Sequence, residues 1–598
     1  MKAFINGREF TFTEGETILK AAKRLGIFIP TLCAYLPLEH TPGTCRLCLV
    51  ETEVDGKKQI VTSCTTPLKD GMRIETRTPK VREMQRMQMA WVFADHNQDC
   101  ASCARHGNCE LQDLALYVGL QHNGCNGRFT AKRPADWSAN GLIRDADKCI
   151  RCARCVEVCR TIQGDKVSAL TINDIGTMCG VGITGAERWA DSPTCVQCGQ
   201  CALVCPTGAL GEKDETEQAI DWLADPEIKT IVAFAPAVRV TLGENFGVES
   251  GVNLEGKIIT ALKMMGADYV CDINWGADVT IMEEGSELLE RLTKKGTLPM
   301  MTSCCPGWVN FVEKIHPEMI PNLSTTRSPQ GIFGSLAKTW FAKEHGIDPK
   351  KLRFISIMPC TAKKDEIKRP QLMKGYEQDT DLVLTVREFT RLLQRQGINL
   401  AKLEESTFDS PFMSENTGAG VIFGATGGVM EAALRTVYFK ATGRELGPVD
   451  YEPARGMAWI KSAEVDLEKL GKVKIAVVHG LANAEKVCAD IAAGKCAFDF
   501  IEVMACPGGC IGGGGNMRVK NNYMNLAEKR IAGIYAVDKT RQIRQSHNNP
   551  DVIRLYKEFL VKPLSHTAED LLHTHYTDRK KGPQELSIRN IWQRVKLG

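Results

Sequence analysis

Several things are missing from this 598-residue chain. No stretch of about 18 uninterrupted apolar residues occurs, so no membrane-spanning helix is expected. Met1-Lys2-Ala3-Phe4-Ile5-Asn6-Gly7 leads straight into charged residues, without the apolar region and cleavage site of a signal peptide, which points to the cytoplasm. Neither sign of charge prevails: 75 Lys and Arg against 72 Asp and Glu leave a formal +3, no field for nucleic acid or anionic lipid. A GxGxxG fingerprint after a strand is absent and no FMN site is evident, so pyridine-nucleotide chemistry would have to occur on another subunit. With 43% hydrophobic and 25% charged residues, disordered and collagen-like classes are excluded; the length suits roughly four domains at about 150 residues each.

Cysteine is sparse only in the rear: seventeen of the 25 lie in residues 1–205. In a reducing compartment, CxxC spacings read as metal ligands rather than disulfides. Residues 1–12 form two alternating runs joined by the hairpin signal Asn6-Gly7, and an amphipathic helix follows from about Glu16 to Leu25. Cys33, Cys45, Cys48 and Cys64 come next, spaced C-x11-C-x2-C-x15-C, which suits a 2Fe-2S cluster or a structural zinc and departs from the plant-type ferredoxin spacing. His96, Cys100, Cys103 and Cys109 then form H-x3-C-x2-C-x5-C, a set open to zinc or to a cluster.

The most specific pattern is a repeat. Cys149, Cys152, Cys155 and Cys159 form C-x2-C-x2-C-x3-C, and Cys195, Cys198, Cys201 and Cys205 repeat it; Pro206 closes the second run and Arg160 takes that place in the first. In the bacterial two-cluster ferredoxin pattern the fourth Cys of each run ligates the other cluster, so Cys205 joins the first three and Cys159 the second three. Closely spaced redox centres move single electrons, and the front reads as a wire. Cys125 and Cys179 fall outside these sets and read as small buried thiols.

From about Lys229 the chain reads as α/β. Thr230–Ala235, Phe354–Met358 and Lys474–Val478 are strand runs, with helical stretches Glu284–Leu292 and Gly331–Lys343 between such runs. That alternation predicts largely parallel sheets with ligands at the carboxyl ends of strands. Three cysteine motifs stand at such ends: Thr302-Ser303-Cys304-Cys305-Pro306-Gly307-Trp308, Met358-Pro359-Cys360-Thr361-Ala362-Lys363-Lys364-Asp365-Glu366, and Glu502-Val503-Met504-Ala505-Cys506-Pro507-Gly508-Gly509-Cys510, with Gly512–Gly515 behind the last.

In this order and behind this front, the motifs resemble the FeFe hydrogenases over nearly the whole chain; the His96 segment also resembles the large subunit of respiratory NADH dehydrogenase. The resemblance implies an α+β multidomain fold: an N-terminal β-grasp ferredoxin-like module (1–78), a His/Cys3 4Fe-4S module (79–137), a two-cluster ferredoxin domain (138–217), a two-lobed α/β H-cluster domain (218–516), a small-subunit-like C-terminal segment (517–577) and a basic tail (578–598). It implies one 2Fe-2S cluster, three 4Fe-4S clusters and the H-cluster, a 4Fe-4S subcluster joined to a diiron unit bearing CO, cyanide and azadithiolate. Cys305, Cys360, Cys506 and Cys510 become its ligands, with Cys510 bridging; Lys363 becomes a hydrogen-bond donor to cyanide, with Ala235, Pro236, Gln330, Met358 and Met504 around the diiron site. Cys304 becomes the proton relay, since a thiol's reference pKa near 8.5 is within reach of neutrality, and the route continues through Glu284, Ser324, Glu287 and Arg291.

Plainer readings stand beside these. Lys363 alone would be a solvated surface lysine, and Glu287 with Arg291 an i,i+4 surface ion pair. Glu366 is a neighbour of the site, Cys271, Cys488 and Cys496 are buried spectators, and the glycine run lets backbone approach the inorganic centre. The implied reaction is reversible dihydrogen oxidation and proton reduction, its direction set by the electron partner. The chain looks most like the catalytic subunit of NADP-reducing, possibly electron-bifurcating hydrogenases of anaerobes, with flavin/NAD(P)-binding and iron-sulfur subunits and ferredoxin as partners. A stand-alone ferredoxin-dependent hydrogenase shares every motif. A hydrogen sensor or an iron-sulfur assembly scaffold would not need Cys304 or so long a wire. Residues 549–576 resemble the segment that wraps the active-site domain; Arg579, Lys580 and Lys581 read as a solvated terminus or a docking strand.

Overall fold

Asn6 and Gly7 both take positive φ, 50° and 79°, the left-handed pair that a tight hairpin needs, and they join β1 (Lys2–Ile5) to β2 (Arg8–Thr11). With β3 (Leu49–Val54), β4 (Lys57–Thr62) and β5 (Arg73–Glu75) they form a five-stranded sheet in the order β2-β1-β5-β3-β4. The helix Ile18–Arg24 lays Ile18, Leu19, Ala21 and Ala22 on that sheet; Thr17 caps it, so the expected first residues are turn and cap. The computed structural model describes residues 1–121, 134–173, 180–373, 378–409, 412–447, 450–518 and 523–580. Cys125, Cys179 and Lys581 lie outside the described residues.

The helices Pro79–Ala94 and Glu110–Val118 bracket the His96–Cys109 segment. The Cys repeat folds as two similar halves: helices Arg154–Gln163 and Gln200–Val204 lie together, and β6 (Leu142–Arg144), β7 (Leu170–Asn173), β8 (Gly180–Ile183) and β9 (Leu210–Glu212) pair as β6-β9 and β7-β8.

The rear contains β10 (Lys229–Phe234), β11 (Tyr269–Asp272), β12 (Met300–Met301), β13 (Leu352–Met358), β14 (Leu382–Thr385), β15 (Ile460–Asp466), β16 (Lys472–His479) and β17 (Phe500–Met504). One sheet, β11-β10-β13-β14, is parallel throughout. The other, β12-β17-β16-β15, is parallel except at its edge, where β15 runs antiparallel to β16. Only the short turn through Glu468–Leu470 joins those two strands, too little chain for a parallel crossover, so the sheets are largely parallel, as expected, with one antiparallel edge. The expected helix Glu284–Leu292 is the second half of a longer one, Ile273–Lys294, whose N-terminus Asp272 caps by accepting from the Asn274 amide at 3.0 Å. The expected helix Gly331–Lys343 begins at Pro329 and passes through a π-helical turn, Ala337–Phe341. Among the described residues, no helix is long and apolar enough to cross a membrane.

A closed ring of alternating charges ties the helix Gly428–Thr442 to the helix Tyr523–Thr540. Arg435 donates to Glu431 (2.7 Å) and Asp538 (3.0 Å), Arg455 to Glu431 (2.7 Å) and Asp450 (3.0 Å), and Arg544 to Asp450 (2.5 Å) and Asp538. Glu431, Asp450 and Asp538 lie close enough together to suggest a cation site, but three guanidiniums already supply the positive charge. Removing Arg435 takes one of two partners from each of Glu431 and Asp538, both fully buried carboxylates. Arg435→Ala should therefore cost about 3–5 kcal/mol, read as a lowered thermal unfolding midpoint.

Candidate active site and electron path

β12, β13 and β17 each end just before a cysteine motif, and their carboxyl ends converge. Pro306 starts the helix Pro306–Ile315 and holds Cys304 and Cys305 at its head; Cys360 precedes the helix Ala362–Glu366; Cys506 and Cys510 occupy the loop after β17. All five thiol-bearing residues line one cavity. Lys363, Ala235, Pro236, Gln330, Met358 and Met504 line it too, and Ile273, Ala277 and Phe423 complete an apolar wall. Burial pushes these thiols up, Cys360 to about 12, so in an apolar pocket they give up their protons when a cation binds in their place. A cage of soft sulfur donors with no carboxylate among the lining residues suits iron and sulfide.

Lys363 is not a surface lysine. It is 7% exposed, and its Nζ donates to Glu366 Oε2 (2.8 Å) and to the Cys304 carbonyl (3.3 Å). Glu366 also accepts from Gln330 Nε2 (3.1 Å), whose Oε1 accepts from Ser356 (2.9 Å). Behind Cys304 lies a file of polar groups. Glu284 is buried, its Oε2 has no hydrogen-bond partner, and burial with the charge of Glu287 pushes its carboxyl up to about 8. Ser324 Oγ donates to Glu287 Oε2 (2.8 Å), and Arg291 Nη2 donates to Glu287 Oε1 (2.6 Å) and to the Leu323 carbonyl (2.7 Å). The simple surface ion pair is overturned, because Glu287 is buried and also receives the Thr325 amide.

The C-terminal segment expected to wrap the active-site domain holds this file in place, through contacts that no motif announced. Tyr576 Oη donates to the Ser324 carbonyl (3.1 Å), the Thr574 amide to Thr325 (2.8 Å), and Arg327 Nε to the His573 carbonyl (3.0 Å). On the helix Ile273–Lys294, Glu283 accepts from Tyr556 Oη (2.5 Å) and the Leu564 amide (2.9 Å), and lies 3.2 Å from His573 Nε2. The C-terminal segment thus straps the Ser324 loop to that helix. Arg579 is exposed but docked: its Nη1 donates to Asn310 (2.9 Å) and Glu313 (3.2 Å).

The front sets are equally buried. Cys33, Cys48 and Cys64 are fully covered, and the Cys45 amide donates to Cys33 Sγ (3.5 Å). His96 Nδ1 is buried with no partner, and burial pulls the ring down to about 4, so a neutral imidazole offers a lone pair beside Cys100, Cys103 and Cys109. The thiols of Cys152 and Cys155 feel Cys205, and those of Cys198 and Cys201 feel Cys159, consistent with the crossed pairing. Cys271 and Cys488 are buried bystanders as expected; Cys496 is half-exposed, a correction.

The sets are contiguous. Leu32 and Leu47, beside Cys33 and Cys48, share an apolar cluster with Cys109. At the other end, Gln200 Nε2 donates to the Gly512 carbonyl (2.7 Å), and Thr361 Oγ1 to that of Gln197 (2.6 Å). Asp365 accepts from Gln197 (2.8 Å), Asn140 (2.7 Å) and Asn310 (2.9 Å), a joint no motif announced. The glycine run does more than expected: Cβ atoms at Gly513 and Gly514 would collide with the carbonyls of Pro359 and Cys198, so the run packs protein backbone on protein backbone, although Gly513 also lines the cavity.

Buried thiol sets leading to a thiol-lined pocket, with a file of buried polar groups behind it, define an iron-sulfur oxidoreductase. Comparison with known proteins matches the iron only hydrogenase large subunit, C-terminal domain, at residues 228–514 and the iron hydrogenase small subunit at 524–579. It also matches a 2Fe-2S iron-sulfur cluster binding domain at 1–79, the NADH-ubiquinone oxidoreductase-G iron-sulfur binding region at 85–123 and a 4Fe-4S binding domain at 191–211. The NADP-reducing hydrogenase subunit HndD of Solidesulfovibrio fructosivorans is 44% identical over 96% of this chain and 99% of its own. Iron hydrogenase 1 of Clostridium pasteurianum is 38% identical over the same shares. The solved FeFe hydrogenase HydA1 of Chlamydomonas reinhardtii superposes with a TM-score of 0.56 at 38% identity, covering 62% of this chain and all of that one. The chain belongs to the FeFe hydrogenases, as a catalytic subunit acting on dihydrogen. The first module thereby falls on the 2Fe-2S side of the cluster-or-zinc alternative.

A chain ending at Leu572 should keep its fold but loosen the Ser324 loop, with amides 324–327 exchanging about tenfold faster or more by hydrogen-exchange mass spectrometry. Unchanged exchange would remove the strap's role.

Proposed function

We propose that the reaction takes place in the cavity between Cys304 and Cys510, interconverting dihydrogen with protons and electrons, and that the front cysteine sets carry the electrons. The observation that carries this reading is the convergence of Cys304, Cys305, Cys360, Cys506, Cys510 and Lys363 on one buried pocket. When bound, the H-cluster, held by Cys305, Cys360, Cys506 and Cys510, supplies the diiron centre at which the H–H bond is made or broken. Lys363, anchored by Glu366, presents a fixed positive charge to the anionic ligands of that centre. Cys304 holds a proton at Sγ where the file meets the cavity; Glu284 receives or returns it, and Ser324, Glu287 and Arg291 continue toward the surface. The apolar wall keeps water away from the pocket.

In the same reading, Cys33, Cys45, Cys48 and Cys64 hold the 2Fe-2S cluster, and His96, Cys100, Cys103 and Cys109 a 4Fe-4S cluster. The crossed sets Cys149, Cys152, Cys155, Cys205 and Cys195, Cys198, Cys201, Cys159 hold two more. The modules divide at 78/79, 137/138, 217/218, 516/517 and 577/578. Electrons pass to flavin- and NAD(P)-binding partner subunits, with ferredoxin as a second carrier in a bifurcating complex of an anaerobic cytoplasm; the full-length similarity to a subunit named NADP-reducing supports this. A ferredoxin-dependent enzyme acting alone is the second reading. Cys304 facing the cavity with Glu284 behind it favours catalysis over sensing or scaffolding.

Infrared spectra of the anaerobic protein should show CO and cyanide bands that shift under dihydrogen; an iron-loaded protein reconstituted with a synthetic diiron complex and still lacking them would refute the pocket assignment. Cys304→Ala should abolish most turnover while iron content stays intact. Because Glu284 keeps its proton up to about pH 8, it can donate at neutral pH, and the dihydrogen-forming rate should hold below that pH and fall as pH rises through it. Glu284→Gln should lose about 100-fold or more of the rate together with that inflection, and a parental profile would eliminate Glu284 from the route.

A further inference from the structure

Another buried charge lies outside the reaction cavity, where the His96 module meets the two-cluster domain. Pro206 follows Cys205, and its carbonyl accepts from the Glu110 amide (3.2 Å), the Cys109 thiol (3.8 Å) and Arg105 Nη2 (3.4 Å). Gly208 is pressed so tightly here that a Cβ would collide with Cys103 Sγ and stand 3.7 Å from Arg105 Cγ. Arg105 therefore sits between Cys103 and Cys109 of one set and Cys205 of the other.

Its guanidinium is 2% exposed, and Nε and Nη1 have no hydrogen-bond partner. Glu110, the carboxylate that acts on it, is already bonded to Arg154 at 2.9 Å. Two buried guanidiniums, Arg387 and Arg518, oppose Arg105; Glu212 answers them at 2.7 and 4.0 Å and is shared with Arg391 at 2.7 Å. Lys148 also borders Gly208, but Asp145 offsets its charge at 3.6 Å. A buried guanidinium without its own carboxylate is costly, and burial pulls its charged form down. Cys205, in one proposed cluster set, favours the charge most, followed by the shared Glu110 and by Cys109 of the other set.

We propose that Arg105 sets the reduction potentials of the two clusters it separates. The proposal rests on the ligand sets of the preceding section. Taking up one electron adds one negative charge to a cluster, with no bond made or broken. A fixed positive charge in a low-dielectric setting favours that reduced form and raises both potentials. The junction becomes a resting place for electrons between the entry side and the cavity. Arg105 touches no substrate; it is a positioning residue for electrons.

EPR-monitored redox titration of the full anaerobic chain tests this with Arg105→Gln and Arg105→Lys, iron content being measured on each. In the Gln variant the reduced-to-oxidised ratio of both flanking clusters at fixed potential should fall about tenfold or more, about 59 mV for a one-electron couple. The Cys33–Cys64 cluster should not move, and the Lys variant should keep both parental potentials. An iron-loaded Gln variant with parental potentials would overturn the proposal, as would a Lys variant that shifts equally, or loss of iron from both variants, which would mark Arg105 as a packing residue. Loss of iron from the Gln variant alone, with the Lys variant loaded and at the parental potentials, would support the charge. A parental protein without the two cluster signals would instead refute the ligand sets themselves.

Discussion

A thiol in apolar surroundings keeps its proton, and this protein buries its thiols in groups. Cys155, Cys198, Cys201 and Cys506 are all raised well above the usual thiol range, chiefly by burial and then by one another. Only a cation held in common reconciles several sulfurs in one dry space, and iron displaces the protons as it binds. Much of the remaining architecture serves that constraint. Strand ends deliver cysteines from separate parts of the chain, apolar residues seal the pockets, and the few polar groups admitted are bonded or aimed at sulfur.

The pocket and the wire form one object rather than two docked domains. Cys198 and Gly199 lie backbone to backbone on Gly514, and Asp365 gathers Gln197, Asn140 and Asn310 at the same seam. Electron transfer needs short separations, and packing that tolerates no Cβ is how a chain makes them short. The Glu284–Ser324–Glu287 file lies under the C-terminal strap instead, so the proposed proton route and the proposed electron route are built from different parts of the chain.

Much of this was legible in the residues. Cysteine spacing is local and chemically demanding, so the four front sets and the three rear motifs were readable directly, as were the Asn6-Gly7 hairpin and the strands ending at Phe234, Met358 and His479. What escaped depends on contacts between residues far apart. The wrapping segment 549–576 was expected, but not that its His573 meets Glu283 and its Tyr576 the Ser324 loop, and Asp365 has no neighbour in sequence that predicts Gln197. The edge strand β15 was not singled out, and its antiparallel direction is decided by the length of the connection, not by its composition. The glycine run was assigned to the inorganic centre, since a sequence displays a missing Cβ but not the carbonyl that occupies its place.

The bond from Gln200 to the Gly512 carbonyl spans 312 residues of chain. The first sheet module and the two-cluster module each have an apolar core mostly of their own and can condense as they leave the ribosome, yet the surface that receives the last cysteine set includes Gly512 and Gly514, which emerge far later. During that interval of synthesis, the Cys198–Gly199 face waits uncovered. The cell must keep iron-binding thiols reduced and unclaimed on a growing chain until its final third has arrived.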